Sequence, residues 1–358
     1  MKQGRTIQEL AVEIQRRADV KRDFIADSKS IFMQIEDGTP MLEMHGSSSI
    51  SPKFDINEVA HQQIGAKLGI PGRYYQRMME EAPQLLADNV NHWFDKSDSK
   101  SMIRTLDGTA RAFLSDKYRI LDNDAILGTV LPELLNIPDI KVVSCEVTDE
   151  RMYLKVLNPR IQADVKVGDT VQAGMLISNS EVGRGTLTVQ PLVYRLVCTN
   201  GLIVNKAGQK TRHLGKANEF DANYEVFTSE TRELDNLAYL SKLRDVVRAV
   251  TSDVQFNMVV NMMKEAQGAK ITATNIPGFV ELACTDRRFG LTKTESEGVL
   301  RHLITDGDLS LFGLSNAVTR YSQDVQSYDR ATELESIGYD ILGMPAGLWK
   351  QLNMAETK

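Results

Sequence analysis

Hydrophobic and polar positions follow two different periods along this chain, and the change from one to the other falls near residue 218. Up to that point short alternating runs, the signature of half-buried strands, are interleaved with segments whose apolar residues recur every three or four positions. Beyond it almost every apolar residue falls on a helical period. The pattern predicts an α+β fold: an antiparallel sheet with hairpins and packed helices over residues 1–218, then a mainly α-helical region over residues 219–358.

The individual elements carry local signals. Thr6 with Glu9 forms a capping-box pattern ahead of Ile7, Leu10, Ala11 and Ile14, which predicts an amphipathic first helix. Residues 30–36 and 41–45 read as strands joined at Asp37-Gly38. Asp55 and Glu58 suggest a cap for a helix ending near Gly69, and helices are expected after Pro71 and Pro83. The clearest hairpin is residues 102–115, because Asp107-Gly108 suits a two-residue turn in which both residues take positive φ. Its alternation puts Arg104 and Arg111 on or near the outward face. A capped helix after Asp122, strands over 140–147 and 152–157, and a strand pair around Gly168 follow. After Gln190 the reading stays open between a helix starting at Pro191 and a bulged strand, with residues 202–204 as a strand. In the second half, helices are expected over 227–250, from Ser252, after Thr292 with Glu295, and over 315–324 and 329–342, before a polar tail.

Composition adds bounds. At 358 residues, with 42% hydrophobic and 25% charged residues, the chain is an ordinary globular one of roughly two domains. Cys145, Cys198 and Cys284 lie too far apart for a zinc-binding pattern and read as buried neutral thiols. The first residues lack the apolar core of a signal peptide, and no apolar run is long enough to span a bilayer, so a cytoplasmic location and no membrane contact are expected. The five histidines are scattered, and there is no Walker, GxSxG or HExxH motif. No enzyme, cofactor or metal is expected on these grounds.

One stretch departs from the acidic balance of 48 acids against 42 bases. Residues 182–218 contain no Asp or Glu, although the chain average would put about five in a window of that length, and they carry Arg184, Arg195, Lys206, Lys210, Arg212 and Lys216. Charge segregated in this way suits a surface that faces an anion. The hairpin cations Arg104 and Arg111, followed by Arg119 and the aromatic Tyr118, would extend it by phosphate pairing and base stacking, as single strands are held. A solvated hairpin face fits the same residues. Residues 59–79 also admit a helix-turn-helix reading with Arg73, Tyr74, Gln76 and Arg77 toward a major groove, or two helices packed on a core.

The segments RTLDGTARAFLSDKYRILDN, ISNSEVGRG and LVCTNGL, with LFGLSNAVTRYSQD further on, resemble the phage- and plasmid-borne proteins grouped as domain of unknown function 932, over about residues 68–339. The resemblance implies a mobile-element protein in a bacterial cytoplasm and supplies no catalytic residues. In element order and basic hairpins the chain is also similar to Rad52-like single-strand annealing proteins, which implies an oligomeric, ATP-independent activity. The leading expectation is therefore a single-stranded-DNA-binding or annealing protein, a possible homo-oligomer. The alternatives are a partner-binding phage protein, acting on a host or phage protein in anti-defence or assembly, and a helix-turn-helix regulator.

Overall fold

The computed structural model describes residues 1–45, 51–204, 229–250 and 253–355. The chain opens with α1 (Ile7–Val20), whose capping box at Thr6 and Glu9 forms as expected. Strands β1 (Arg22–Asp27), β2 (Ile31–Glu36), β3 (Thr39–Met44) and β4 (Lys53–Ile56) follow, then α2 (Glu58–Lys67), α3 (Gly72–Glu81) and α4 (Pro83–Lys96). The cap of α2 is Asn57, which accepts from the Ala60 amide, and not Asp55, which lies within β4. Hairpin β5 (Lys100–Leu106) and β6 (Thr109–Ser115) turns at Asp107 and Gly108, both at positive φ.

These strands make a six-stranded sheet in the order β1-β5-β6-β4-β3-β2, antiparallel except for the β4/β6 pair. Helices α2 to α4 cover one face, burying Ile64, Tyr75, Met78, Leu86 and Phe94 against Ile31, Leu42, Ile103 and Phe113. At the edge strand β2 the Asn91 side chain of α4 both donates to the Met33 carbonyl and accepts from its amide. That contact occupies backbone groups an open edge would otherwise offer to another strand.

After α5 (Asn123–Leu135) come β7 (Lys141–Val147), β8 (Met152–Lys166), β9 (Asp169–Asn179), β10 (Thr188–Arg195) and β11 (Asn200–Ile203), an antiparallel meander in the order β11-β10-β9-β8-β7. The stretch after Gln190 is thus strand, running through Pro191. One face of this second sheet carries Leu154, Val156, Met175, Ile177 and Val189 against α1, α5 and α6 (Ser229–Val250). The opposite face carries Tyr153, Leu176, Leu192 and Ile203 with Tyr328.

The remaining helices are α7 (Asp253–Gly268), α8 (Ile276–Thr285), α9 (Lys293–Asp306), α10 (Leu311–Tyr321), α11 (Tyr328–Leu342) and α12 (Ala346–Met354). Thr292 and Glu295 form the expected capping box of α9, whereas α12 replaces the expected polar tail and buries Trp349 and Leu352. These helices do not pack only on one another: Val171, Ala173, Val193, Leu202 and Val204 of the second sheet lie in the same core as Phe279, Phe312, Val318 and Leu334. A boundary at residue 218 therefore separates two sequence patterns but not two cores. All three cysteines are free and buried, and burial pushes the Cys145 thiol up to about 11 and the Cys284 thiol up to about 12. Among the described residues no helix is long and apolar enough to cross a membrane.

Candidate binding cleft

Side-chain alternation in the second sheet builds the floor of the candidate site. The register sets Lys155, Leu176 and Gln190 in one row across β8, β9 and β10, with Tyr153 and Ser178 as the neighbouring pair and Leu192 opposite Ile203. All of these side chains share the sheet face turned away from α1 and α5. Helix α11 lies along that face and contributes Asp329, Arg330, Thr332, Glu333 and Ser336 to one wall. The β7–β8 turn supplies the other wall through Thr148, Asp149, Glu150 and Arg151, joined by Arg184, and Asn57 and Glu58 at the start of α2 form the lip. The cleft is half open to solvent and has a volume of about 850 Å³.

The β9–β10 connection fixes Arg184 at the mouth. A Cβ at Gly183 would lie 2.6 Å from Leu114, at a φ of 74° that side chains resist, and one at Gly185 would fall 1.9 Å from the Arg151 guanidinium. The positive φ at both positions is the backbone conformation that glycine adopts without a Cβ penalty. The Arg184 amide donates to Ser180 Oγ (2.9 Å), its carbonyl accepts from Arg151, and its guanidinium donates to Gln62 and lies 3.8 Å from Glu150.

Most polar groups of the cleft already have partners. Asp329 accepts from the Tyr153 hydroxyl (2.7 Å) and from Thr148 (3.1 Å), and burial with that carboxylate pushes the Tyr153 phenol well above its ordinary range. Arg330 is held by Glu295 at 2.7 Å and Glu333 at 2.6 Å, and the same guanidinium lowers the Glu295 carboxyl. The exceptions are the Arg184 Nε and Thr332, which is only 6% exposed, lines the cleft, and has a hydroxyl with no hydrogen-bond partner. The Gln190 and Ser336 side chains are half-buried and make no hydrogen bond within the described residues. Arg151, Arg184 and Arg330 face five carboxylates, Glu58, Asp149, Glu150, Asp329 and Glu333, so the lining is net acidic. Among the described residues no three His, Cys, Asp or Glu gather as a metal site.

The sequence-predicted cations divide into three groups. Lys206, Lys210, Arg212 and Lys216 lie outside the described residues. Arg104 and Arg111 are buried in ion pairs and Arg195 is half-buried in another, which corrects the expectation that they face outward. Arg104 is fully buried, bound by Asp23 (2.9 Å), Asp122 (2.7 Å) and the Glu181 carbonyl (2.9 Å), and Arg111 is held by the Glu181 carboxylate at 2.7 Å. Arg104 pairs with Ala112 on the sheet face opposite Ile103 and Phe113, as the alternation has it, and the register shift before Thr105 leaves Arg111 out of the pairing beside it; Glu181, which follows β9, covers that face. That cover comes from residues distant in sequence, so it leaves no mark in the hairpin's own pattern. Arg195 grips Asp169 at 2.6 and 2.8 Å and lies 5.4 Å from the Phe312 ring.

The third group is Arg119, Tyr118 and Arg184. Arg119 pairs with Asp235 at 2.9 Å and stacks over Tyr239, while the Tyr118 hydroxyl donates to the Ser180 carbonyl at 3.0 Å. Only Arg184 of the described candidates reaches the cleft. On α3, Arg73, Tyr74, Gln76 and Arg77 are exposed, whereas Tyr75 and Met78 pack in the first core.

The quoted sequence segments interlock. Asn123 donates its amide to Glu181, Asn179 donates to Asn123 and to the Leu121 carbonyl, and Arg104 bridges Asp122 to Glu181. Buried polar networks fix one arrangement of the elements that carry them. The family model described as "Domain of unknown function (DUF932)" matches residues 112–337, from β6 to α11. The chain belongs to this family. The DUF932 match includes the floor and the α11 wall of the cleft and omits only its α2 lip. No curated protein and no solved structure matches the chain.

Residue patterns gave no notice of the cleft itself. Lys155 within the apolar run MYLKVL was the one available signal, since a lysine on a buried strand implies a buried partner. Thr332 and Gln190 carry none.

Proposed function

We propose that this DUF932 protein binds single-stranded DNA, without nucleotide hydrolysis, across the mouth of the cleft. What supports the reading is that Arg184 and Ile203, near the two described ends of the acid-free run, both line this one cleft. Lys206, Lys210, Arg212 and Lys216 follow Ile203 within thirteen positions of sequence. The phosphate-facing set is therefore Arg184 with these four, and excludes the arginines held in buried pairs. A strand gripped mainly by such cations releases counterions, so its affinity falls steeply with salt. Annealing by a homo-oligomer in a phage or plasmid setting, in a bacterial cytoplasm, is the finer form of the proposal.

The test is fluorescence anisotropy of a labelled single strand against salt concentration, using the full chain. Replacing Lys206, Lys210 and Arg212 by Ala should flatten the slope of log affinity against log salt by about 2, at roughly 0.7 per lost contact with a single strand. Unchanged affinity and slope would remove the proposed surface. The exposed face of α3 favours a second reading, duplex binding; a duplex bound more tightly than the strand, and weakened by Arg73→Ala and Arg77→Ala, would establish it instead.

A further inference from the structure

We infer that the cleft receives one unstacked nucleobase of the bound strand, while the phosphates stay outside at Arg184; this rests on the strand-binding reading above. The charge of the lining argues for that division. With Arg184 at the mouth, Arg151 and Arg330 against five carboxylates make the interior unfavourable for a phosphate, yet leave it open to a neutral group that forms hydrogen bonds.

The base of the floor is closed by Leu176 and Ile203, both packed beneath the surface on the same sheet face as Gln190, which stands directly across from Leu176 in the register. The Gln190 amide offers a donor and an acceptor side by side, the complement of a base edge, and no group among the described residues occupies it. The Thr332 hydroxyl is the more specific sign. A hydroxyl that is 6% exposed and has no partner carries a standing desolvation cost, which an entering donor or acceptor relieves. Ser336, one helical turn further along α11, lines the same wall of the cleft. A volume of about 850 Å³ accommodates a base with its sugar.

The same chemistry would take the base of a free nucleoside, and the experiment separates the two sources. Affinities are measured with the full chain for a mixed-sequence single strand and for an abasic strand of equal length, in the wild type and in Thr332→Val, Gln190→Ala and Arg184→Ala. The wild type should prefer the strand that has bases. Thr332→Val and Gln190→Ala should each weaken that strand about 3- to 10-fold, the loss of one hydrogen bond, and leave the abasic strand unchanged. Gln190 is half-buried on the sheet surface, so its variant remains informative should Thr332→Val melt early in circular dichroism.

If Arg184→Ala weakens both strands while the other two variants bind like the wild type, strand binding stands and base insertion is overturned. Equal weakening of both strands by Thr332→Val and Gln190→Ala overturns it too. If the wild type binds neither strand, the strand-binding reading falls, and calorimetric titration with free nucleosides decides the cleft. Saturable binding that Thr332→Val weakens keeps a nucleobase site; no heat with any nucleoside removes it.

Discussion

Lys155 on β8 and Glu335 on α11 meet at 2.6 Å with neither side chain exposed to solvent. The pair joins residues 180 positions apart, with the ammonium also 4.8 Å from the Tyr328 ring. It sets α11 against the sheet three residues beyond Thr332, and so fixes the spacing of the cleft's floor and wall. Desolvation of two charges offsets most of their attraction, so the contact serves position more than stability. Removal of one partner is different, because it strands the other charge in the core.

Glu335→Ala should therefore destabilise the protein by about 3–5 kcal/mol in urea unfolding. The paired change of Lys155→Met with Glu335→Leu should recover most of that loss. A single Glu335→Ala variant as stable as the wild type would contradict the buried pair.

Arg104 presents a similar case with three acceptors. Arg104→Ala should cost about 3–5 kcal/mol, and Arg104→Lys should recover little, because one ammonium cannot span Asp23, Asp122 and the Glu181 carbonyl together. Arg184→Ala, at a half-exposed site, should change stability by less than about 1 kcal/mol. Thermal melts of the three variants separate a structural arginine from a surface one; equal losses at both sites would refute the distinction.

Thr332→Val should stabilise the free protein by about 1 kcal/mol, since it replaces an unpartnered buried hydroxyl with a methyl group of the same shape. The expected readout is a higher melting temperature in the absence of nucleic acid. A lower one would show that the hydroxyl has a partner in solution.

His61 gives the fold a pH limit. Burial lowers its imidazole from 6.5 to about 4, with Nδ1 2.9 Å from the Tyr75 hydroxyl. The unfolded chain therefore binds a proton there at a higher pH than the folded chain does. Its contribution is intact above pH 6.5, is lost as pH falls from 6.5 toward 4, and then levels off, with a slope of about 1 kcal/mol per pH unit. His61→Gln should remove that slope in urea unfolding at pH 7, 6 and 5. The same acid limb in both proteins would assign it to other groups.

What the sequence determined by itself was local. Capping boxes at Thr6 and Thr292, the Asp107-Gly108 turn and the helical period beyond residue 218 each depend on residues within about four positions of one another, and each formed as read. The family segments were also legible, though not the buried network that joins them. Which cations would face solvent was decided only by the tertiary structure. Arg104 faces away from the first core as its alternation indicates, but the Glu181 carbonyl and carboxylates 81 and 18 residues away cover that face and bury it. The cleft arose in the same way, because its floor, walls and lip come from four separate parts of the chain. Propensity and capping act through neighbours in sequence, whereas burial and ion pairing act through neighbours in space, and only folding brings Thr332, Gln190 and Arg184 together around one cavity.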